Sequence, residues 1–160
     1  MQILNFAMQM EKDGERYYRQ LAQQTSNEGM RRIFAMLADE EVKHYEAVKT
    51  IETEEPELAE TTIIADVKNI FQQIKDSGEE FDFGMEHLEL YRNAQEIEQK
   101  SRDFYLEYAN QIPQEDRKQL FFKLAEEEKK HYFLLDNIIE FVAQPEYWLE
   151  NAEFYHLDEY

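Results

Sequence analysis

Two runs of the chain carry residues from which chemistry could be built. Residues 31–51 read RRIFAMLADEEVKHYEAVKTI and residues 118–138 read KQLFFKLAEEEKKHYFLLDNI; they align without a gap at an offset of 87. Glu41 and His44 fall on Glu128 and His131, Glu40 falls on Glu127, and Phe34, Leu37 and Ala38 fall on Phe121, Leu124 and Ala125. The same offset places MEKDGERYYRQLA (10–22) on IEQKSRDFYLEYA (97–109), so that Glu11 meets Glu98 and Tyr18 meets Tyr105. Glu15 would meet Arg102, so the repeat singles out Glu11. The chain therefore carries, twice, a Glu, a Tyr seven residues later, and a Glu-x-x-His.

Residues three apart on a helix lie nearly on one face. Glu41 with His44, and Glu128 with His131, can each reach one point in space. Glu41 lies in the apolar stripe of Leu37, Ala38, Tyr45 and Val48, and Glu11 lies on a face of Leu4, Ala7, Gly14, Tyr18 and Leu21. A buried carboxylate must be paired, protonated or bound to a cation. Four carboxylates in one interior carry a formal charge that two divalent cations would cancel, and neutral imidazoles would add one ligand to each. Carboxylate-rich sites with one imidazole per metal suit Fe(II) or Mn(II) better than thiolate-selecting ions. The predicted ligands are Glu11, Glu41, His44, Glu98, Glu128 and His131, with iron as the expected metal and Mn or Zn as substitutes. Tyr18 and Tyr105 would hydrogen-bond ligand carboxylates, and Glu40 and Glu127 would hold the free imidazole N–H groups. Core packing of the tyrosines and a solvated acidic face are the alternatives. Small residues occupy the matched positions Gly14 and Ser101. A glycine inside a helix costs about 1 kcal/mol relative to Ala, and the expectation is that both positions leave a pocket for O2 or peroxide. His156 with Glu153 has ligand spacing but no repeat partner, and His87 lacks the Glu; neither is placed in the site.

Helices must position these groups, and the chain has only four Gly and three Pro to interrupt them. Apolar spacing and cap residues predict long helices over about 3–25, 28–53, 84–110 and 114–143. Ser26 or Asn27 would cap the second and Asp82 the third. Short first and last connections make each pair antiparallel. The middle connection, about 54–82, is long enough to cross a bundle, with a short helix at ADVKNIFQQIK capped by Thr61 or Thr62. Residues 1–143 then form one all-α, antiparallel four-helix bundle. The acidic, aromatic tail 144–160 would pack as a short helix on the bundle or on a second subunit.

Composition narrows the partners. The net charge is −19, from 17 basic and 36 acidic residues. Such a surface repels phosphate backbones, so nucleic acid is not an expected partner. Cysteine is absent, which excludes disulfides and thiolate metal sites. No apolar run approaches the roughly 20 residues that span a membrane. The N-terminus lacks the basic and apolar blocks of a secretory signal, so a cytoplasmic location is expected.

These positions resemble the ferritin-like di-iron carboxylate superfamily, and within it the rubrerythrin-type domain. That motif is a Glu on each of two helices and a Glu-x-x-His on each of the other two, in a four-helix bundle with one long crossover. Glu11, Glu41 to His44, Glu98 and Glu128 to His131 occupy all six positions, and the likeness runs over about residues 3–143. The resemblance implies that Glu41 and Glu128 bridge two irons while Glu11 and Glu98 are terminal ligands. It further implies an oxidoreductase that reduces hydrogen peroxide or O2. Rubrerythrins commonly carry a four-Cys rubredoxin module; with no Cys here, electrons are expected from an external donor such as a rubredoxin-like protein. Ser101 stands where rubrerythrins have an extra Glu that exchanges with a His, so turnover by ligand exchange is not implied. A homodimer is expected. An iron-storing ferroxidase and a metal-dependent structural bundle without redox turnover are the competing readings.

Overall fold

The computed structural model describes residues 2–51, 58–77 and 87–144. Five helices occupy them: α1 (Gln2–Gln24), α2 (Glu28–Lys49), α3 (Ile63–Ser77), α4 (Leu88–Ala109) and α5 (Glu115–Ala143). The all-α expectation holds. Asn27 caps α2, its side chain accepting from the Met30 N–H at 3.0 Å. This satisfies one of the N–H groups that a helix start leaves without a partner. α3 is longer than the segment predicted for it. The Thr61 hydroxyl accepts the Ile63 N–H (3.1 Å), while the Thr62 hydroxyl donates to Asp66 (2.9 Å). Asp82 and the tail 145–160, with its predicted helix and with Glu153 and His156, lie outside the described residues.

The buried residues of α1 are Leu4, Ala7, Glu11, Gly14, Tyr18 and Leu21, the face that helical spacing predicts. In α2, Leu37, Ala38 and Val48 are buried, whereas Tyr45 is half-buried at the edge of the stripe with Lys12 over its ring. Two apolar layers result. One holds Leu21, Phe34, Leu37, Tyr91, Leu134, Ile138 and the inner face of α3. The other holds Leu4, Ala7, Val48, Ile51, Ala109, Phe121 and Leu124. Each of α1, α2, α4 and α5 contributes to both layers, and each carries its ionisable residues between them.

The order of the layers along each helix fixes the topology. α1 and α5 run from the Phe121 layer to the Phe34 layer; α2 and α4 run the opposite way. α2 thus ends at one end of the bundle and α4 begins at the other. A helix of about 22 residues is roughly 33 Å long, and the connection between α2 and α4 has to cover that length. α3 lies in this crossover and packs on the Phe34 layer, with Phe71 against Phe141 at 4.9 Å. The segment before α3 is tied to α5 through a hydrogen bond from Lys123 Nζ to the Leu58 carbonyl. No described helix is long and apolar enough to cross a membrane.

Candidate metal centre

Between the two apolar layers the four long helices turn Glu11, Glu41, His44, Glu98, Glu128 and His131 toward one another. Both histidines are fully buried, and the four carboxylates are at most 4% exposed. They form two sets, Glu11–Glu41–His44–Glu128 and Glu41–Glu98–Glu128–His131, whose ligand atoms in each set lie within 4.8 Å of one another. Glu41 and Glu128 belong to both sets. The imidazole rings stack across the centre at 5.6 Å and 10°.

The tyrosines reach across the bundle. Tyr18 on α1 donates to Glu98 Oε1 on α4 at 2.5 Å, and Tyr105 on α4 donates to Glu11 Oε1 on α1 at 2.5 Å. The outer glutamates cross in the same way between α2 and α5. His44 Nε2 lies 2.7 Å from Glu127 Oε1, and His131 Nε2 faces Glu40 Oε1 at 3.7 Å. Each repeat thus orients the ligands of the other. Matched spacing in the sequence identifies the residues but not which partner each one takes.

The two histidines differ in how firmly they are held. His44 is fixed at both nitrogens: Nδ1 sits 3.0 Å from Glu128 Oε1, and Nε2 is bonded to Glu127. His131 has no hydrogen bond at either nitrogen, its nearest carboxylates being Glu98 at 3.4 Å and Glu41 at 3.7 Å from Nδ1. Glu40 is engaged elsewhere. It accepts from the Thr61 hydroxyl and pairs with Lys43 at 3.4 Å. Thr61 enters the sequence reading only as a helix cap; its contact with Glu40 comes from the path of the crossover, which no local spacing reveals.

Protons and charges are strongly redistributed here. Burial and the neighbouring carboxylates Glu11, Glu98 and each other push Glu41 and Glu128 well above the usual carboxylate range. Burial also opposes ionisation of Glu98, but the His131 charge together with the neighbouring Glu128 carboxyl and the Tyr18 hydroxyl outweighs it and holds this carboxyl at about 2. Burial opposes ionisation of Glu40 likewise, and His131 and Thr61 outweigh it, again at about 2. Glu11 is lowered against burial, chiefly by His44. Both imidazoles are raised well above their usual value; burial disfavours their charge, but Glu11 beside His44 and Glu98 beside His131 overcome it. Burial and the adjacent carboxylates raise both tyrosines, so they remain protonated donors. Without a cation, neutrality falls to protons: two imidazolium rings and two carboxyls that keep theirs.

The donor set fits a pair of divalent cations. Glu11 Oε2, Glu98 Oε2 and both His131 nitrogens are buried without a hydrogen-bond partner. Such atoms are costly unless something coordinates them. A cation would also return the stacked imidazoliums to neutral rings and remove their repulsion.

One expectation about the small residues is corrected. The space over Gly14 is taken by Glu41: a Cβ there would lie 3.0 Å from Glu41 Oε2 and 3.2 Å from its Cδ. The glycine admits a ligand side chain, not a pocket for O2 or peroxide. Ser101 is buried on the equivalent face of α4. His87 stands just before α4, makes no capping bond and packs edge-on to Tyr91 at 6.5 Å, away from the centre.

Residues 2–139 match the model of the rubrerythrin family. No curated protein and no solved structure matches the chain.

Proposed function

The chain belongs to the rubrerythrin family, and on that premise we propose that it is a di-iron oxidoreductase that reduces hydrogen peroxide or O2 with electrons from an external donor. The observation that carries this reading is the pair of buried ligand sets sharing Glu41 and Glu128. Glu11, Glu41, His44 and Glu128 would hold one ion, and Glu41, Glu98, Glu128 and His131 the other. Two ferrous ions supply the two electrons that cleavage of a peroxide O–O bond takes up. Hydrogen peroxide also takes up two protons, giving two waters.

The chain's own residues prepare that chemistry. Tyr18 and Tyr105 hold one oxygen each of Glu98 and Glu11, leaving the second oxygen of each carboxylate for an ion. Glu127 fixes His44 so that Nδ1 faces the ligand cluster. Gly14 lets Glu41 lie flat against α1. The apolar layers above and below limit access of bulk water, which strengthens each electrostatic contact between them. A rubredoxin-like protein is the class of donor we assign, and a homodimer the assembly.

The test is anaerobic loading with Fe(II) followed by titration with peroxide. Stoichiometric oxidation and a new near-ultraviolet charge-transfer band are expected. An unchanged spectrum with both ions bound would overturn the redox reading and leave metal binding standing. Size-exclusion chromatography adds a second check, since a dimer agrees with the proposed assembly and a shell of many subunits points to iron storage.

A further inference from the structure

We propose that Thr61 is a positioning residue that makes the two metal positions unequal. The position served by His44 loads first and tightly; the one served by His131 loads second and exchanges with solvent. This inference rests on the di-metal reading and goes beyond the family's ligand pattern, because Thr61 belongs to the crossover and has no role in the repeat.

The inequality starts at the outer glutamates. Glu127 and Glu40 are matched in sequence, yet Glu127 lies 2.7 Å from its imidazole and Glu40 lies 3.7 Å from its own. A separation of 3.7 Å is outside hydrogen-bonding range. Thr61 accounts for the difference. Its oxygen accepts the Ile63 N–H at the start of α3, which turns its proton toward Glu40. That proton goes to Oε1, the same carboxylate oxygen that faces His131. Lys43 holds the other oxygen at 3.4 Å. Both oxygens of Glu40 are thus engaged away from the imidazole, and His131 is left to be oriented by the cation alone.

The same residues border a cavity outside the centre. Glu40, Lys43 and Thr61 line a cavity of about 180 Å³ between α2 and the turn into α3, with Asp39 and Asp66 beside them. His131 stands behind Glu40, so on this side Glu40 alone separates the imidazole from an acidic cavity, the route we assign to the exchanging ion.

Titration of the cation-free protein with Co(II), followed by visible absorption and calorimetry, tests the proposal. Two steps are expected, separated by about 10–100-fold in affinity, the range that an outer partner of a ligand histidine commands. Thr61→Val removes the hydroxyl at constant shape, and the two steps should converge. Thr61→Ser keeps the hydroxyl and should keep the separation. Glu127→Ala should bring the first step down to the second, an arm that does not touch the α3 turn. Proton NMR of the Co(II) form supplies a signature independent of affinity. The His44 Nε2–H should exchange slowly with water and that of His131 quickly, and in Thr61→Val both should be slow. Equal steps in the unaltered protein, or a separation unmoved by either Thr61→Val or Glu127→Ala, overturn this proposal alone. Failure of the unaltered protein to bind Co(II) at all overturns the metal-site reading together with it.

Discussion

The two halves of the candidate centre present the same residue types and differ in rigidity. On one side His44 is clamped between Glu127 and Glu128; on the other, His131 has no hydrogen bond at either nitrogen. The sequence repeat makes the ligand sets alike. An unrepeated element, the segment entering α3, makes their surroundings unlike by engaging Glu40. Ligand identity and ligand rigidity are therefore set by different parts of this chain.

The largest effect should come from removing a residue common to both sets. Glu41 and Glu128 belong to both sets, so Glu128→Ala should cost both cations, whereas Glu11→Ala should cost one. Metal analysis after dialysis against a weak chelator gives the counts. Loss of a single ion from Glu128→Ala would mean that the halves are separate sites.

The next effect comes from the crossed tyrosines. Tyr18→Phe and Tyr105→Phe each delete a hydrogen bond to a carboxylate, worth about 1.5–3 kcal/mol when one partner is charged. Each should weaken cation binding by about 10–100-fold. The two bonds are matched at 2.5 Å, so the two variants should behave alike in calorimetric titrations. A large difference would move the asymmetry from the outer glutamates to the tyrosines.

Proton linkage separates the cation-free from the loaded protein. His44, His131, Glu41 and Glu128 are raised above their ordinary values of 6.5 and 4.5. Their contribution to the cation-free fold is complete below those values and drains away as pH rises through the raised ones. Glu98 and Glu40, held at about 2, contribute above 4.5 and lose that contribution as pH falls toward 2. The two groups of carboxyls oppose one another about their ordinary value, so the cation-free protein should be most stable at mildly acidic pH, near 4.5. Cations require deprotonated ligands, so their affinity should rise with pH. Thermal melts with and without metal should diverge progressively from about pH 5 to 8; a constant gap would contradict the proton inventory.

The smallest effect is expected at the paired small residues. Gly14→Ala gains up to about 1 kcal/mol in helix propensity, but its methyl would press on Glu41 Oε2 at 3.0 Å. The cation-free melting temperature should change little while cation affinity falls. Ser101→Ala should alter both less. Bulkier Gly14→Leu should displace Glu41 and weaken binding outright; retention of both cations with full affinity would show that Glu41 has another place to lie.

The all-α layout and the six residues that converge between the layers were legible because both follow from helical spacing. A glutamate inside an apolar stripe has one place to go, and the offset of 87 picks Glu11 over Glu15. Glu15 indeed lies away from the centre, paired with Arg19 at 3.1 Å. Partner choice was not legible. Whether Tyr18 serves Glu11 or Glu98 depends on how α1 and α4 are staggered, which spacing within one helix cannot specify. The role of Gly14 was misread for a related reason: a small residue announces that something approaches, not what does. Thr61 was hidden because its contact spans 21 residues of the crossover.

The exchanged hydrogen bonds make neither hairpin self-sufficient. A hairpin of one repeat would present Glu and His without the groups that steady them, since Tyr105 serves Glu11 and Glu127 serves His44. Two copies of such a hairpin, related by a two-fold axis, would supply each other with what each lacks. A single hairpin cut from this chain would therefore need a second copy to complete its hydrogen bonds, whereas the linking segment stands outside that exchange.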